Sequence, residues 1–342
     1  MRMRHTGKRV LLSRGHKMVN DPVVVNDWHP VARSEDIPEG ALLPVCLLEE
    51  DLVLWRTGDR VHACRDLCAH RGTRLSSGHV DGATLVCPYH GWAYNSNGQC
   101  VHIPAHPEQT IPKRAQVQTY RVEERYNLVW VAIGEPAQAI PAFPEWDDPT
   151  YRKLLCGPYG AFDLCGLRAI ENFLDVAHFP FIHEGILGDA AYPVIEDYGT
   201  TIEPDGVLSK GVSVYQPNPY GTGQGGVVAY IYRALRPFTA YLAKESEGVR
   251  FSILFCVTPH SALSSTLWMW MALNYDHQTP AADLIAWQEK ILNQDIPIIQ
   301  AQRPMLLPLY GQADLLLNSD RTLIVYRKWL QAMGLRFGTV DG

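Results

Sequence analysis

No stretch of the sequence approaches the roughly 20 consecutive apolar residues that a membrane span requires. No basic run is interleaved with aromatics, and a formal net charge of -6 gives no reason to expect a nucleic-acid partner. No G-x-G-x-x-G follows a strand-like segment, so the chain brings no dinucleotide-binding domain. Cysteine is sparse, and eight in 342 residues do not make a disulfide framework. Six of them, Cys46, Cys64, Cys100, Cys156, Cys165 and Cys256, are scattered without a repeating spacing, which suits a reducing cytoplasm. Repeats and low-complexity tracts are lacking too. The basic start of the chain has neither a seven-residue apolar core nor a small-residue cleavage site, so it does not read as a secretory signal. Residues 1–22 are expected to form a disordered basic tail, or else translation starts at Met18 and Met1 is an upstream start.

The composition is globular, with 46% hydrophobic and 19% charged residues, and the length suffices for two domains. The other two cysteines stand in Cys68-Ala-His70 and Cys87-Pro-Tyr-His90, separated by a stretch that reads as a short hairpin excursion. Two thiolates and two imidazoles suit either a tetrahedral zinc or a [2Fe–2S] cluster with His in place of Cys on one iron. Zinc ribbons and fingers usually draw one ligand type from each knuckle. Here each loop gives one Cys and one His, so the cysteines can hold one iron and the histidines the other, a Rieske centre. Gly72 and Gly91, following the second ligand of each loop, fit a tight turn that aims amides at sulfur.

The blocks CAHRG and CPYHGW resemble the Rieske loops of the Rieske non-haem iron oxygenases. Respiratory Rieske proteins carry an extra disulfide-forming Cys in each loop, but Thr73 and Tyr89 stand there in this chain, and Gly91 stands where they have Ser. Fewer hydrogen bonds to the cluster imply a lower potential, suited to giving electrons to oxygen chemistry. The blocks VCPYHGW, HFPFIHEGILGD and VYRKWL are most similar to the subgroup of saxitoxin-tailoring hydroxylases and purine-alkaloid N-demethylases, with aromatic O-demethylases further off. The resemblance runs from Val23 to the end of the chain.

Short apolar or alternating runs from Val23 to about Pro136 predict an all-β domain over 23–140. Val23 to Trp28 is among the runs read as extended. A Pro-rich linker over 141–150 precedes a second domain over 151–342. Arg168 to Phe179 reads as a helix ended by Pro180, Val249 to Val257 and Ser265 to Leu273 as paired strands, and about Ala281 to Gln302 and Ala313 to Met333 as amphipathic helices. The expected class is α+β. The resemblance implies a helix-grip second domain, an antiparallel sheet wrapped around a long helix.

Asn172, Asp175 and His178 are spaced three apart, as on one helix face, and His183 follows the break at Pro180. Two imidazoles need one carboxylate to complete the facial triad of a non-haem Fe(II) site, and Asp295 falls on the apolar face of its helix, where an unpaired acid would be costly. Its setting also resembles the family's distal ligand segment. Asp175 is placed to accept the proton on the second nitrogen of His178. The resemblance implies more: Asp175 would link His178 to His70 or His90 of a neighbouring subunit in a homotrimer and pass electrons. Asn172 is expected to support the site. Tyr230, Tyr232, Trp268, Trp270 and Asn274 fall on strands expected to line the substrate cavity.

The resemblance therefore implies a monooxygenase with a [2Fe–2S] cluster, Fe(II) and O2 as co-substrate, supplied with NAD(P)H electrons by a separate reductase or ferredoxin. It would hydroxylate a C–H bond of a small ring-containing, alkaloid-like substrate, or remove an N- or O-methyl group by the same chemistry. A second reading, from another class, is a Rieske electron carrier without mononuclear iron.

Overall fold

The computed structural model describes residues 19–221, 223–311 and 313–340. Most of the expected tail, including Met18, lies outside the described residues. At 19–22 the expectation of disorder fails. Asp21 is buried, and its Oδ1 accepts the N–H of Val23 at 3.0 Å, capping the short helix α1 (Pro22–Val25). Its Oδ2 accepts the N–H groups of Arg336 and Phe337 at 2.7 and 2.8 Å, which ties the two ends of the described chain together. The run from Val23 thus begins as a helical turn, because Pro22 sits where a helix needs no N–H.

The N-terminal domain is built of small antiparallel sheets. Its strands are β1 (His29–Arg33), β2 (Leu42–Leu47), β3 (Glu50–Thr57), β4 (Arg60–Arg65), β5 (His79–Asp81), β6 (Thr84–Val86), β7 (Ala93–Tyr94), β8 (Cys100–His102), β9 (Arg121–Arg125) and β10 (Leu128–Ala132). They pair in the orders β2-β3-β4, β5-β6-β7-β8 and β1-β10-β9. The period of two is visible in β3, whose Leu52, Val53, Leu54 and Trp55 are all fully buried. Leu52 and Leu54 point into the large core shared with the second domain. Val53 and Trp55 point into a separate core with Cys68, Leu75, Leu85, Cys87 and Tyr94, under the two ligand loops.

The segment between β10 and Arg152 is packed rather than loose. Ile140 and Phe143 are buried, and Oε1 of Glu145 accepts the Tyr241 hydroxyl at 2.6 Å and Nε of Arg250 at 3.0 Å.

The second domain holds β11 (Arg152–Phe162), α2 (Gly166–Leu174), α3 (Phe179–Ile182), β12 (Gly199–Glu203), β13 (Gly206–Gln216), β14 (Gly226–Arg236), β15 (Thr239–Ser246), β16 (Val249–Ser261), β17 (Ser264–Leu273), α4 (Ala281–Ala301) and α5 (Arg321–Met333). The seven strands form one antiparallel sheet in the order β11-β17-β16-β15-β14-β13-β12. One face packs on α2, α4 and α5. The other carries Leu254, Cys256, Trp268, Trp270 and Ala272 against Trp28, Tyr126 and Trp130 of the first domain. The class is therefore α+β, with a helix-grip second domain. None of its helices is long and apolar enough to cross a membrane among the described residues.

Two helix boundaries differ from expectation. The helix expected over Arg168 to Phe179, α2, stops at Leu174, because Asp175 leaves it with an extended ψ of 141° and its Oδ1 accepts the N–H of Ala177 at 2.9 Å. Asn172, Asp175 and His178 therefore do not share one helix face. Pro180 lies inside the first turn of α3, where it starts a helix rather than ending one. Near the C-terminus, α5 begins at Arg321 and not near Ala313. Asp314 in the preceding coil instead accepts Nη1 of Arg168 at 2.7 Å and Nη2 of Arg327 at 2.6 Å, joining α2 to α5.

Candidate active site

The two ligand loops are closed by matching backbone bonds. Gly72 donates to the Cys68 carbonyl at 2.9 Å and Gly91 to the Cys87 carbonyl at 3.1 Å. Both glycines have positive φ, 68° and 67°, a region that a side chain would strain. A Cβ on Gly91 would also stand 2.9 Å from Pro104 Cγ. The loops bury Cys68 and Cys87 and leave His70 and His90 exposed. Nδ1 of His70 lies 3.1 Å from Nδ1 of His90, and the His70 ring stacks flat on Trp92 at 4.6 Å. Tyr94, fully buried on β7, sets its hydroxyl 3.0 Å from Cys68 Sγ and accepts the Ala69 N–H at 3.1 Å. Burial pushes the Cys87 thiol up, and the neighbouring Cys68 adds to this. Thiols in that setting become thiolates on binding a metal, and sulfur inside with nitrogen outside is the donor set of a Rieske cluster.

The second constellation spans α3 and α4. His178 is the residue before α3, His183 the residue after it, and Asp295 lies on α4. Asp295 Oδ1 is 3.0 Å from Nε2 of His183 and 3.5 Å from Nε2 of His178. One ligand atom from each of the three lies within 4.8 Å of the others. Asp295 Oδ1 is buried without a hydrogen bond of acceptable geometry, and such an orphaned oxygen facing two imidazoles fits a metal ion. Burial alone would raise the Asp295 carboxyl, but the two histidines outweigh it and hold the group at about 2. Burial likewise works to lower His178, while the hydrogen bond to Asp175 and the facing Asp295 carboxylate hold it up at about 9.

Both imidazoles are oriented from behind. His178 Nδ1–H is donated to Asp175 Oδ2 at 2.8 Å, and His183 Nδ1–H to Gln294 Oε1 at 2.9 Å. These bonds turn Nε2 of each ring toward Asp295. Gln294 was not among the expected residues, since nothing in the sequence marks one amide on a helix over another.

A cavity of about 480 Å³ opens beside the triad. Its apolar wall includes Phe173, Phe179, Tyr230, Phe251, Met269 and Met271, and Asn172 also lines it. Of the five expected lining residues, Tyr230 alone does so. Tyr232 is fully buried beneath, with Phe173 edge-on at 6.2 Å. Trp268 and Trp270 face the opposite side of the sheet, donating Nε1–H to Thr258 Oγ1 at 2.8 Å and to the Tyr126 carbonyl at 2.9 Å. Asn274 closes the strand end, accepting from Arg250 N at 2.7 Å and donating to the Gly248 carbonyl at 2.8 Å. The error on β17 is one of parity: the odd-numbered Met269, Met271 and Leu273 line the cavity.

Comparison with known proteins agrees with this geometry. The Rieske [2Fe-2S] domain family matches residues 27–121, and the vanillate O-demethylase oxygenase C-terminal domain family matches residues 165–336. The chain is 32% identical over 323 residues to methylxanthine N1-demethylase NdmA of Pseudomonas putida, covering 90% of this chain and 88% of that protein. It is 35% identical over 178 residues to the dicamba O-demethylase oxygenase component of Stenotrophomonas maltophilia, covering 51% of each. The solved structure of Pseudomonas putida NdmA with caffeine superposes with a TM-score of 0.80 at 29% identity, covering 90% of both chains. The chain belongs to the Rieske non-haem iron oxygenases, oxidoreductases that work with a [2Fe–2S] cluster and non-haem iron.

Proposed function

We propose that this oxygenase removes a methyl group from a small, flat ring compound by hydroxylating the methyl C–H bond. The observation that carries the reading is the aromatic-walled cavity opening directly beside His178, His183 and Asp295. The substrates named for its relatives, methylxanthines and dicamba, support the same chemistry. The balance is R–CH3 + O2 + 2 electrons + 2 protons giving R–CH2OH + H2O. Where R ends in nitrogen or oxygen, the hemiaminal or hemiacetal then collapses to R–H and formaldehyde.

In this reading Cys68, His70, Cys87 and His90 hold the cluster, and His178, His183 and Asp295 hold the iron. When bound, the cluster supplies stored electrons and the iron supplies activation of O2. The chain does the rest. Asp175 and Gln294 fix the two imidazoles, the apolar wall excludes water, and Tyr230 and Asn172 bound the space in which the ring lies.

Electrons come from NAD(P)H through a separate reductase or ferredoxin, in keeping with a chain that lacks a dinucleotide motif and a relative described as an oxygenase component. His70 and His90 are exposed, and Asp175 is partly exposed. This supports a head-to-tail homotrimer in which Asp175 of one subunit meets a Rieske histidine of the next. None of the eight cysteines is in a disulfide, which supports a cytoplasmic location.

The test is turnover of N- and O-methylated ring compounds with a surrogate reductase. Formaldehyde released in step with substrate loss is the expected result. Products carrying one added oxygen and no formaldehyde would move the reading to ring or side-chain hydroxylation.

A further inference from the structure

The alternation of β15 puts Leu242 and Lys244 on the face that lines the cavity. Lys244 pairs across the sheet with Tyr230 on β14 and Phe251 on β16, and both of those line the cavity too. The lysine is only 6% exposed, in a class of residue almost never buried without a charged partner. Its Nζ donates to Gln216 Oε1 at 3.0 Å and to the Pro219 carbonyl at 2.6 Å. The rings of Tyr220 and Phe251 stand 5.1 and 5.5 Å from it.

All four of these partners are neutral. The adjacent Glu245 is paired with Arg250 at 2.8 Å, and Asp295 faces the two histidines. Asp276 and Asp283 also line the cavity but are exposed, at its rim. A buried ammonium without a counter-charge is costly, and two acceptors leave one of its three N–H groups unused. Burial lowers Lys244 to about 8, so most of the population is still charged at neutral pH. The metal end of the cavity adds no negative excess, since a divalent ion on one carboxylate remains net positive.

We propose that Lys244 is the receptor for an anionic oxygen of the substrate, which is an aromatic or heteroaromatic carboxylic acid bound with its methyl-bearing end toward His178, His183 and Asp295. This rests on the oxygenase reading above and narrows it. The carboxylate takes the remaining N–H of Lys244, and the ring lies between Phe251 and the methionines of β17. A charge-assisted bond to a buried ammonium discriminates against a neutral isostere, because the charge is then left without a counter-charge.

The test uses calorimetric titration of the iron-loaded protein with 3- and 4-methoxybenzoate and 1-methylpyrrole-2-carboxylate, each beside its carboxamide. At least one acid is expected to bind about tenfold or more tightly than its amide. Lys244→Met should bring that ratio close to one while leaving iron and sulfide content and circular dichroism unchanged. Lys244→Arg should keep the preference. The proposal is overturned if amides bind as well as acids, if Lys244→Met keeps the ratio, or if no acid binds at millimolar concentration. Acids that bind through Lys244 without being turned over would sink the demethylase reading and leave this one standing. Turnover of neutral methyl compounds without an acid preference would do the reverse.

Discussion

His183 donates its Nδ1–H to Oε1 of Gln294 across 2.9 Å, and the residue after Gln294 is Asp295, whose Oδ1 lies 3.0 Å from the other nitrogen of the same ring. One turn of α4 thus supplies both a proposed ligand and the group that orients a second. Gln294→Leu is expected to lower Fe(II) affinity by roughly 10- to 100-fold, while Gln294→Glu, which keeps an acceptor, retains most of it. Iron retained after dialysis against a graded series of chelators measures this. Unchanged retention in Gln294→Leu would mean that the ring is held by packing alone.

Asp295→Ala and His178→Ala should each take the protein from about three irons to about two per chain, at two acid-labile sulfides throughout. The visible spectrum of the cluster should not change, and turnover should be lost. Three irons in either variant would show that the triad is not where the mononuclear ion sits.

Asp175→Asn is expected to retain iron and cluster, since an amide oxygen can still accept from His178 Nδ1. What it loses is the negative charge behind that ring. Rapid-mixing measurement of cluster reoxidation with O2 and substrate present should show transfer slowed by about 100-fold or more, in the range that loss of a positioned acid–base group produces. Wild-type rates in this variant would remove Asp175 from the proposed route between subunits.

Tyr94→Phe removes a hydroxyl 3.0 Å from Cys68 Sγ without changing the buried ring. Loss of a hydrogen bond to a ligand sulfur favours the oxidised cluster, so its reduction potential should fall. A redox titration followed by electron paramagnetic resonance reads the shift directly. An equal or higher potential would mean that the hydroxyl is not donated to that sulfur once the cluster is in place.

Lys244 gives a pH dependence whose sign follows from its depressed value of about 8. Acid binding needs the ammonium, so affinity should hold below pH 8 and fall as pH rises through it, whereas Lys244→Arg should show no fall. The tyrosines that face the cavity do not titrate in this range, because burial raises Tyr220, Tyr230 and Tyr275. His178 faces the same space, and loading with iron removes its proton from the titration. Stability runs the other way from an ordinary ion pair. The fold penalises the charged lysine, fully below pH 8 and not at all above its unfolded value near 10.5. In ligand-free protein Lys244→Met should therefore be more stable at pH 7, on the order of 1–3 kcal/mol after the lost hydrogen bonds are discounted, with the gain vanishing toward pH 10.5.

The chemistry was more legible in the sequence than the walls around it. Cys68, His70, Cys87 and His90 announce themselves because metal ligation fixes residue type and local spacing together, and both loops are contiguous. His178 and His183 are readable from the same constraint, although the helix expected through His178 ends at Leu174, since the turn that Asp175 makes with the Ala177 N–H competes with helix propensity in a way that periodicity does not register. Asp295 stands out by its cost, an acid on an apolar helix face. The cavity residues do not, because Ser265 to Leu273 is apolar on both faces. A strand buried on both sides carries no alternation to say which parity is which. Asp21 has a different reason: two of its three backbone partners are amides more than 300 residues away.

That two-sided burial has an evolutionary corollary. On β17 the odd positions, Met269 and Met271, touch substrate space, and the even ones, Trp268 and Trp270, dock the first domain. Descendants can trade one methionine for another apolar side chain and acquire new diets while the seam between domains stays put. A change at either tryptophan instead disturbs the mating of two domains without touching what the enzyme eats. Innovation and integrity are interleaved residue by residue along a single strand, so a library restricted to apolar residues at Met269 and Met271 should alter specificity while leaving the seam between domains in place.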